Sequence, residues 1–393
     1  MGLADNPDNV ATVYADAFER APCFIRKDIM MIDHRRIWET LAAIIIVFGV
    51  VPYSRSEESV YFEYDARSEV KRTVYESDAY NCRPVVTQAK DGRWLLIYGV
   101  ASGHTASDGD PWYLEFSHDQ FETWESRNKS EAFPFSDARA ALQDADMFTL
   151  PTGRIAINWA SREGGKLAPS KRLVSDDHGD SWHRYGKVIW SGIGDRNENY
   201  LWLGQDHVVM DDQVYLTAVY LNANPREVFL ARTRDGIHYD FVTSLAEGSY
   251  TEPGIEHLSN GDFLIVIRCL RGLTTFQTIV RNYGKSVDPI KDVGKQLHVV
   301  QRARLRKFSD GYIRMVGRHR HHRGGPAGVS ITRDGSRWYF QHEFDVRNGA
   351  YSDIEEIGNG RTYVITYGNG RNVYDYRFDS IVRPAANCGD NLP

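Results

Sequence analysis

The basic side chains of this 393-residue chain concentrate in one stretch, where they could bind an anion. The stretch contains seven arginines and one lysine: Arg302, Arg304, Arg306, Lys307, Arg314, Arg318, Arg320 and Arg323. Arginine suits a carboxylate ligand because its planar fork forms two parallel hydrogen bonds with the two oxygens. A solvated surface face is the other interpretation of such a run. The formal net charge of −6 argues against a nucleic-acid partner, which normally requires a basic surplus.

Histidine and cysteine are the other residue types that could carry chemistry here. His319, His321 and His322 stand among the last arginines, but the alternation of a strand would send them to different faces. We therefore expect no metal site, and we expect HRHHRGG to line a pocket for an anion. The four cysteines lie far apart without a C-x-x-C pair, so they predict neither a metal knuckle nor a dense disulfide scaffold.

The elements that must position these side chains follow a repeat of β-hairpins. Six segments consist of an apolar stretch, a turn with Gly or Asp, and a second apolar stretch. The turns fall at Gly92, Gly153, Asp212, Gly261, Gly311 and Gly360, in steps of 61, 59, 49, 50 and 49 residues. Asp-Gly and Asn-Gly pairs supply the positive φ that tight hairpin turns need. The spacing predicts one hairpin in each of six similar units.

A second motif lies downstream of most of these hairpins. SDDHGDSW (Ser175 to Trp182) follows the pattern S-x-D-x-G-x-x-W, and SHDQFETW (Ser117 to Trp124) differs only in having Phe121 at the glycine. TRDGIHY (Thr233 to Tyr239) and TRDGSRW (Thr332 to Trp338) are one residue shorter. These motifs resemble the Asp boxes of the sialidase superfamily.

The spacing of the four motifs supports a propeller. Asp119, Asp177, Asp235 and Asp334 are 58, 58 and 99 residues apart, so one unit has lost its motif near residue 284. The Asp carboxylate can accept backbone N–H bonds in a tight turn, so the motif is structural and not catalytic. Together with the hairpins it predicts an all-β, sialidase-like, six-bladed β-propeller over residues 59–388. The strand SVYFEY (Ser59 to Tyr64) is expected to close the ring with the C-terminal end.

The resemblance implies a specific set of catalytic side chains. Sialidases hold the substrate carboxylate with three arginines, attack with a tyrosine assisted by a glutamate, and use an aspartate as acid/base. A neutral tyrosine avoids the repulsion that an anionic nucleophile would meet beside the substrate carboxylate.

Three arginines of this chain match the carboxylate-binding positions. Arg83 in NCRPVV stands where the family has an R-I-P arginine, although the isoleucine is absent here. Arg268 ends the strand GDFLIVIR, and Arg318 ends GYIRMVGR. Arg320 and Arg323 are the alternatives to Arg318.

The remaining roles also have candidates. Tyr351 in GAYSDIEEIGNG resembles the nucleophile, and Glu252 in YTEPGIEHLSNG resembles its activating base, with Glu256 as the local alternative. The expected acid/base is Asp108 in the loop GHTASDGDPW, with Asp110 second.

Three further residues are expected to contact the sugar. Asp146 and Asp206 stand before the second and third hairpins, where they could bind substrate hydroxyls. Trp112 is expected to stack on the sugar ring.

Residues 1–58 form an N-terminal extension of different character. The apolar run from Leu41 to Val51 has 11 residues, too few to span a bilayer as a helix. Residues 30–52 resemble a signal segment, which would imply a secreted or periplasmic protein. A buried strand or helix packed on the propeller is the alternative.

The resemblance therefore implies a retaining exo-glycoside hydrolase that releases a terminal α-linked sialic acid or a related nonulosonic acid, without a cofactor. The expected partner is a sialylated or other acidic glycan. Two alternatives remain open. One is a glycosidase or lyase of another acidic or deoxy sugar on the same propeller, since a fold does not determine a function. The other is a non-catalytic glycan-binding propeller.

Overall fold

The computed structural model shows a chain that is nearly all β-strand. It describes residues 60–64, 69–76, 80–101, 112–126, 143–163, 166–222, 225–271, 274–294, 296–297, 299–319, 327–344, 351–358, 361–368 and 372–384. The strands belong to a unit that runs from Glu58 to Pro393. The signal-like segment 30–52, with its apolar run, lies outside the described residues. No helix within those residues has the length and apolar character needed to cross a membrane.

The described strands form six sheets, which we number as blades in chain order. The two N-terminal strands are β1 (Val60–Tyr64) and β2 (Val70–Glu76). Blade 1 contains β3 (Tyr80–Gln88), β4 (Trp94–Ala101), β5 (Trp112–Ser117) and β6 (Glu125–Ser126). Blade 2 contains β7 (Gln143–Thr149), β8 (Ile155–Glu163), β9 (Lys166–Ser175) and β10 (His183–Lys187). Blade 3 contains β11 (Ile189–Ser191), β12 (Leu201–Met210), β13 (Gln213–Tyr220), β14 (Arg226–Thr233) and β15 (His238–Gly248).

Blades 4 to 6 complete the set. Blade 4 contains β16 (Tyr250–His257), β17 (Phe263–Cys269), β18 (Thr274–Arg281), β19 (Ser286–Val287) and β20 (Lys291–Asp292). Blade 5 contains β21 (Val299–Lys307), β22 (Ile313–His319), β23 (Ala327–Thr332) and β24 (Tyr339–Glu343). Blade 6 contains β25 (Ser352–Ile357), β26 (Arg361–Gly368) and β27 (Asn372–Pro384), with β1 and β2 paired to β27. Two short 3₁₀ turns span Glu198–Tyr200 and Asn282–Gly284.

The first long strand of every blade lies in a central ring. Around this ring, β3, β7, β12, β16, β21 and β25 contact one another in that order, and β25 returns to β3. Each of these inner strands pairs antiparallel with the next strand of its own blade, so all six predicted hairpins are present. The chain is therefore a six-bladed β-propeller, and the predicted fold class is confirmed.

The ring closes by pairing the two ends of the propeller. Strand β1 pairs antiparallel with β27, and Val60 lies opposite Pro384. Blade 6 therefore combines three strands from the C-terminal end of the propeller with two from the N-terminal end, and the predicted closing strand is confirmed in β1.

Three of the hairpins share one turn geometry. The first has two bonds across it, from the Ala89 N–H to the Arg93 carbonyl at 2.8 Å and from the Gly92 N–H to the Ala89 carbonyl at 3.0 Å. Gly92 has a φ of 92°, which a side chain would strain. Equivalent turns end at Gly153 and Gly311, whereas the turn of blade 4 is bonded from the Asp262 N–H to the Ser259 carbonyl and has a positive φ at both Asn260 and Gly261.

The hydrophobic core consists of six clusters, one between each pair of neighbouring blades. Between blades 1 and 2, for example, Leu95 packs in the same cluster as Leu173, and both are fully buried. Both faces of each blade are thus covered by a neighbouring blade. This explains why the strands carry apolar side chains on both of their faces. The propeller is stabilised by contacts between blades rather than by a single central core.

The turns in which the sequence predicted Asp boxes share one hydrogen-bond pattern, and we call them the Asp turns (residues 117–124, 175–182, 233–239 and 332–338). In the second, Asp177 accepts the Ser181 N–H at 2.8 Å, while Ser175 Oγ accepts the Gly179 N–H at 2.8 Å. Burial alone would raise the pKa of Asp177, but the hydrogen bonds from Ser181 and Ser175 hold it at about 2. Blade 4 has the 3₁₀ turn at Asn282–Gly284 near the position where the motif is missing from the sequence.

Each Asp turn packs on the preceding blade. A Cβ on Gly179 of blade 2 would lie 2.4 Å from Leu95 of blade 1, and one on Gly335 of blade 5 would lie 2.7 Å from Leu264 of blade 4. In blade 1 the equivalent residue is Phe121, which has a φ of 69° and stacks on Tyr363 of blade 6 at 3.8 Å.

Candidate active site at the bulged end of the inner strands

The inner strands of blades 1 to 5 each contain a β-bulge several residues before the hairpin turn. The register shifts lie within 82–85, 143–146, 203–207, 251–254 and 301–304. A bulge leaves a residue unpaired and re-aims its side chain, and bulges are common next to active sites. We call this side of the ring the bulged end, and the side with the hairpin turns the turn end.

The bulge of blade 4 holds Glu252 against Arg268. Glu252 has a φ of 49°, which is rare for a residue with a side chain. Its Oε2 accepts a hydrogen bond from Arg268 Nη1 at 2.7 Å, and the two side chains are 12% and 18% exposed. The structure therefore brings together two predicted site residues in a charge-assisted pair that solvent can still reach.

The bulge of blade 5 brings Arg302 to the same place. The Arg302 N–H donates to Glu252 Oε2 at 3.1 Å, and the Arg302 guanidinium carbon lies 4.5 Å from the centre of the Tyr351 ring. Arg302 Nη2 also donates to the Ala145 carbonyl of blade 2 at 3.3 Å. Arg302 thereby connects the predicted base in blade 4 with the predicted nucleophile in blade 6.

Arg302 belongs to the basic run of the sequence, and its distance from the hairpin turn is a further signal for this site. Arg83, Glu252, Arg302 and Tyr351 each stand nine residues before the turn glycine of their hairpin. Asp144 stands at the same distance before Gly153. Aligning the hairpins on their glycines would have placed all five at one level of the ring.

The two other predicted arginines also belong to blades that border this end. Arg83 lies in the bulge of β3, between the paired residues Cys82 and Val85. Arg318 lies in β22 opposite Gln301, the neighbour of Arg302, and is half-buried. The predicted acid/base Asp108, its alternative Asp110, and the alternatives Arg320 and Arg323 lie outside the described residues.

Asp146 and Asp206 lie deeper in the ring, where they form ion pairs. Arg304 Nη1 donates to Asp146 at 2.6 Å, and Arg306 Nη1 donates to Asp206 at 2.7 Å. Burial works against the ionised form of Asp146, but the charges of Arg304 and His207 hold its pKa below the ordinary range. The aspartates are 1% and 0% exposed, so a contact with substrate hydroxyls stays a prediction.

Carboxylates of the inner strands also join several blades to the next one. Asp206 of blade 3 accepts the Ile255 N–H of blade 4 at 3.1 Å, and Asp353 of blade 6 accepts the Val86 N–H of blade 1 at 3.0 Å. Glu256 of blade 4 likewise accepts the Lys307 N–H of blade 5 at 2.7 Å. Glu252 makes the equivalent bond at the bulged end, so it has a structural partner as well as its predicted chemical role.

Trp112 lies in the core between blades 1 and 2. It is 7% exposed, and its ring packs against Gly99, where an added Cβ would lie 3.4 Å from Trp112 Cε2. Stacking of this ring on a sugar stays a prediction.

A polar cavity of about 280 Å³ opens at the turn end of the ring. Its lining includes Thr87, Thr149, His207, Glu256, Arg306 and Glu355. Burial raises the pKa of Glu256 to about 7, and Arg306 only partly offsets this effect. Glu256 therefore belongs to the turn end, whereas Glu252 belongs to the bulged end with Tyr351 and Arg302.

Acidic, histidine and cysteine side chains do not converge as metal ligands in the part of the chain that the structure describes. The described polar groups of the bulged end include a carboxylate, a phenol and three guanidinium groups, of Arg268, Arg302 and Arg318. This set suits an anionic ligand and proton transfer.

The fold is a six-bladed β-propeller, and charged side chains gather at its bulged end. No protein-family model matches the chain, and no curated protein matches it in sequence. Solved structures do match. A protein of unknown function from Dyadobacter fermentans is 15% identical over 81% of this chain and 99% of that chain, with a TM-score of 0.66.

Two matching structures are glycoside hydrolases by name. The Hadza microbial sialidase Hz136 is 15% identical over 79% of this chain and 68% of that chain, with a TM-score of 0.63. The Penicillium chrysogenum α-L-arabinanase, complexed with arabinobiose, is 12% identical over 81% of this chain and 98% of that chain, with a TM-score of 0.58. At these identities the comparisons establish the fold that the chain shares with sialidases and arabinanases.

Proposed function

We propose that this chain is a retaining exo-glycoside hydrolase that releases a terminal α-linked sialic acid or a related nonulosonic acid. The observation that supports this most strongly is the convergence of Glu252, Arg268 and Tyr351 at the bulged end, with Arg302 linking them. The four Asp turns are then the Asp boxes of the sialidase superfamily. The sialidase among the matching structures agrees with this proposal.

The proposed reaction begins with the substrate carboxylate bound by Arg83, Arg268 and Arg318. Tyr351 Oη attacks the anomeric carbon and its proton passes to Glu252, while the glycosidic oxygen leaves with a proton from Asp108. Water then attacks the glycosyl-tyrosine, gives a proton to Asp108, and the phenol recovers its proton from Glu252. Two displacements at one carbon retain its configuration.

The ion pair between Arg268 and Glu252 suggests how binding prepares the base. A substrate carboxylate at Arg268 competes with Glu252 for the same guanidinium group. When the substrate takes that guanidinium group, Glu252 Oε2 loses one of its hydrogen bonds and can accept the phenol proton in its place. Binding and activation of the nucleophile are coupled in this scheme.

The first experiment compares the purified chain with its Tyr351→Phe variant on a fluorogenic α-sialoside. We expect the parent to turn over and the variant to lose at least about a thousandfold in kcat, because the nucleophilic oxygen is gone. Tyr185→Phe is the matched control, since Tyr185 is an exposed tyrosine of blade 2. Proton NMR early in the parent reaction should show the α-anomer of the free sugar first. A β-anomer appearing first would exclude the retaining mechanism.

Hydrolysis of an α-L-arabinofuranoside is the second candidate function, because the arabinanase matches over 98% of its own length. Arabinan is neutral and would make little use of three arginines, which favours the sialoside. Turnover of a fluorogenic α-L-arabinofuranoside and not of sialosides would replace the first proposal. Binding of sialosides without turnover of either substrate would indicate a glycan-binding propeller.

A further inference from the structure

Arg302 is the one described arginine of the bulged end for which the proposed reaction gives no role. It is 3% exposed and lies in the bulge of β21 with a φ of 47°. A positive φ costs free energy in a residue with a side chain, and such strain persists only where the surrounding structure enforces it. The same feature occurs at Glu252, its hydrogen-bond partner in the next blade.

The backbone of Arg302 fixes the predicted base. The Arg302 N–H and Arg268 Nη1 both donate to Glu252 Oε2, at 3.1 and 2.7 Å. The bulge frees this N–H from the ladder between β21 and β22, where the register shifts between Gln301 and Arg304. Substitution of the Arg302 side chain leaves this backbone bond in place.

The side chain of Arg302 acts on the predicted nucleophile. Its guanidinium group lies over the Tyr351 ring at 4.5 Å, and Nη2 is held by the Ala145 carbonyl at 3.3 Å. The positive charge is therefore fixed from blade 2 while it faces the aromatic ring of blade 6. A buried cation over a ring is attracted by the ring, and it also favours negative charge on the phenol oxygen.

We propose that Arg302 is a positioning residue that holds the Tyr351 ring for attack and stabilises the negative charge that develops on its oxygen. The inference rests on the proposed function. In the first displacement a bond forms between Tyr351 Oη and the anomeric carbon as the bond to the leaving oxygen breaks, and the phenol proton passes to Glu252. Arg302 exchanges no proton or bond in this step, so its contribution is geometric and electrostatic.

Arg302→Gln and Arg302→Lys test the side chain on the fluorogenic sialoside. We expect Arg302→Gln to lower kcat by about a hundredfold with KM within about threefold of the parent, as for loss of a fixed charge at a developing anion. Arg302→Lys keeps the charge but not the planar group, and we expect it to lose about tenfold in kcat. A loss confined to KM would show that Arg302 binds substrate instead, and it would overturn the inference.

Arg314→Gln is the matched control. Arg314 is also a buried arginine of blade 5, with its guanidinium 4.0 Å from the Phe308 ring and an ion pair to Asp310 at the other end of the blade. The Arg314→Gln substitution should lower the melting temperature of the chain without changing kcat. An equal loss of kcat in Arg314→Gln would show that the Arg302 variants act through the general stability of blade 5. That result would overturn the inference.

A double-mutant cycle separates positioning from a merely structural role. If Arg302 acts through Tyr351, Arg302→Gln should cost no more than about twofold in the Tyr351→Phe background. A further hundredfold loss there would contradict the inference. If Arg302→Gln does not melt cooperatively, the Arg302→Lys variant is used instead. A fivefold or greater loss of kcat at unchanged KM in Arg302→Lys supports the inference. Kinetics equal to those of the parent overturn it.

The two proposals fail in different ways. A parent chain that turns over no sialoside removes the proposed function and this inference with it. A parent that turns over sialosides, with an Arg302→Gln variant that matches it in kcat and KM, removes only the inference.

Discussion

The acidic and basic side chains of the central ring have different roles, which depend on how deeply they are buried between its two ends. At the bulged end, Glu252 and Arg268 remain 12% and 18% exposed, so a ligand can reach them. In the middle, Arg304 and Asp146 are almost fully buried and neutralise each other. A buried pair of this kind is costly to break, because the remaining charge is left without compensation. Ligand chemistry is therefore confined to the ends of the ring, and we predict a binding role first for Arg268.

Arg268→Lys should weaken substrate binding more than it slows the reaction. Lysine keeps the charge but cannot form two parallel hydrogen bonds with a carboxylate, which should raise KM by about ten- to a hundredfold. Michaelis–Menten kinetics on the fluorogenic sialoside measure this effect. Arg281→Lys in the same blade is the control, since Arg281 pairs with Asp262 and Asp288 away from the bulged end. Unchanged KM in Arg268→Lys would exclude this arginine from the carboxylate site.

At the scale of the elements, the Asp turn of blade 1 departs from the other three. Phe121 occupies the glycine position, keeps the positive φ and is completely buried against Tyr363. The stacked side chains of Phe121 and Tyr363 join blade 1 to blade 6. These are the first and the last blade of the propeller. The positive φ of Phe121 costs free energy, and the aromatic contact between the two blades offsets this cost.

Replacing Phe121 should reveal both contributions. Phe121→Ala and Phe121→Gly each lose the ring, which should lower the free energy of unfolding by about 3–5 kcal/mol. The glycine variant should be more stable than the alanine variant by about 1 kcal/mol, because glycine tolerates the positive φ. Denaturant titration of both variants measures the difference.

Phe229 provides the inverse control for this comparison. It is fully buried in the middle of strand β14, where glycine is less favourable than alanine by roughly 0.5–1 kcal/mol. The order of stability should therefore reverse in Phe229→Gly and Phe229→Ala. The same order at both positions would contradict the strain assigned to Phe121.

The sequence was sufficient for the hairpins and the Asp turns because both depend on local chemistry. Gly92, Gly261 and Gly311 mark turns that only a few residues determine, and their spacing predicts six blades. The position of Arg302 relative to Gly311 can be read from the sequence, but its contacts cannot, because they depend on a bulge whose flanking residues pair 12 to 17 positions further along the chain. The ion pairs of Asp146 and Arg304 join residues 158 positions apart, a distance over which sequence pattern carries no information.

At the scale of the whole molecule, the ring is held by carboxylates that bond to the neighbouring blade. Glu256 is one of these, and it also lines the cavity at the turn end. Burial raises its pKa from the ordinary 4.5 to about 7. Between these values the folded chain holds a proton that the unfolded chain has lost, so this residue makes the free energy of unfolding fall as pH rises.

Glu256→Gln should remove this pH dependence. Below pH 4.5 the free energy of unfolding of the parent contains the full contribution of protonated Glu256. This contribution, up to about 3 kcal/mol, is lost as pH rises through 7, whereas the variant shows no such loss. The difference in the free energy of unfolding between variant and parent, measured from pH 5 to 8, should therefore grow in favour of the variant. Glu247→Gln, at an exposed site in β15, is the control. A difference that does not change with pH would show that Glu256 titrates normally.

The closure of blade 6 has a consequence for biosynthesis. Strand β1 leaves the ribosome 324 residues before the last residue of β27, its partner. At about 5–20 residues per second, this interval lasts roughly 16 to 65 seconds, during which the nascent chain exposes an unpaired strand edge. Blades 1 to 5 can form in order behind it, but the ring cannot close until translation of the propeller has finished. Aggregation through the edge of β1 is therefore a hazard of synthesis, and it lasts for most of the time that the propeller takes to be made.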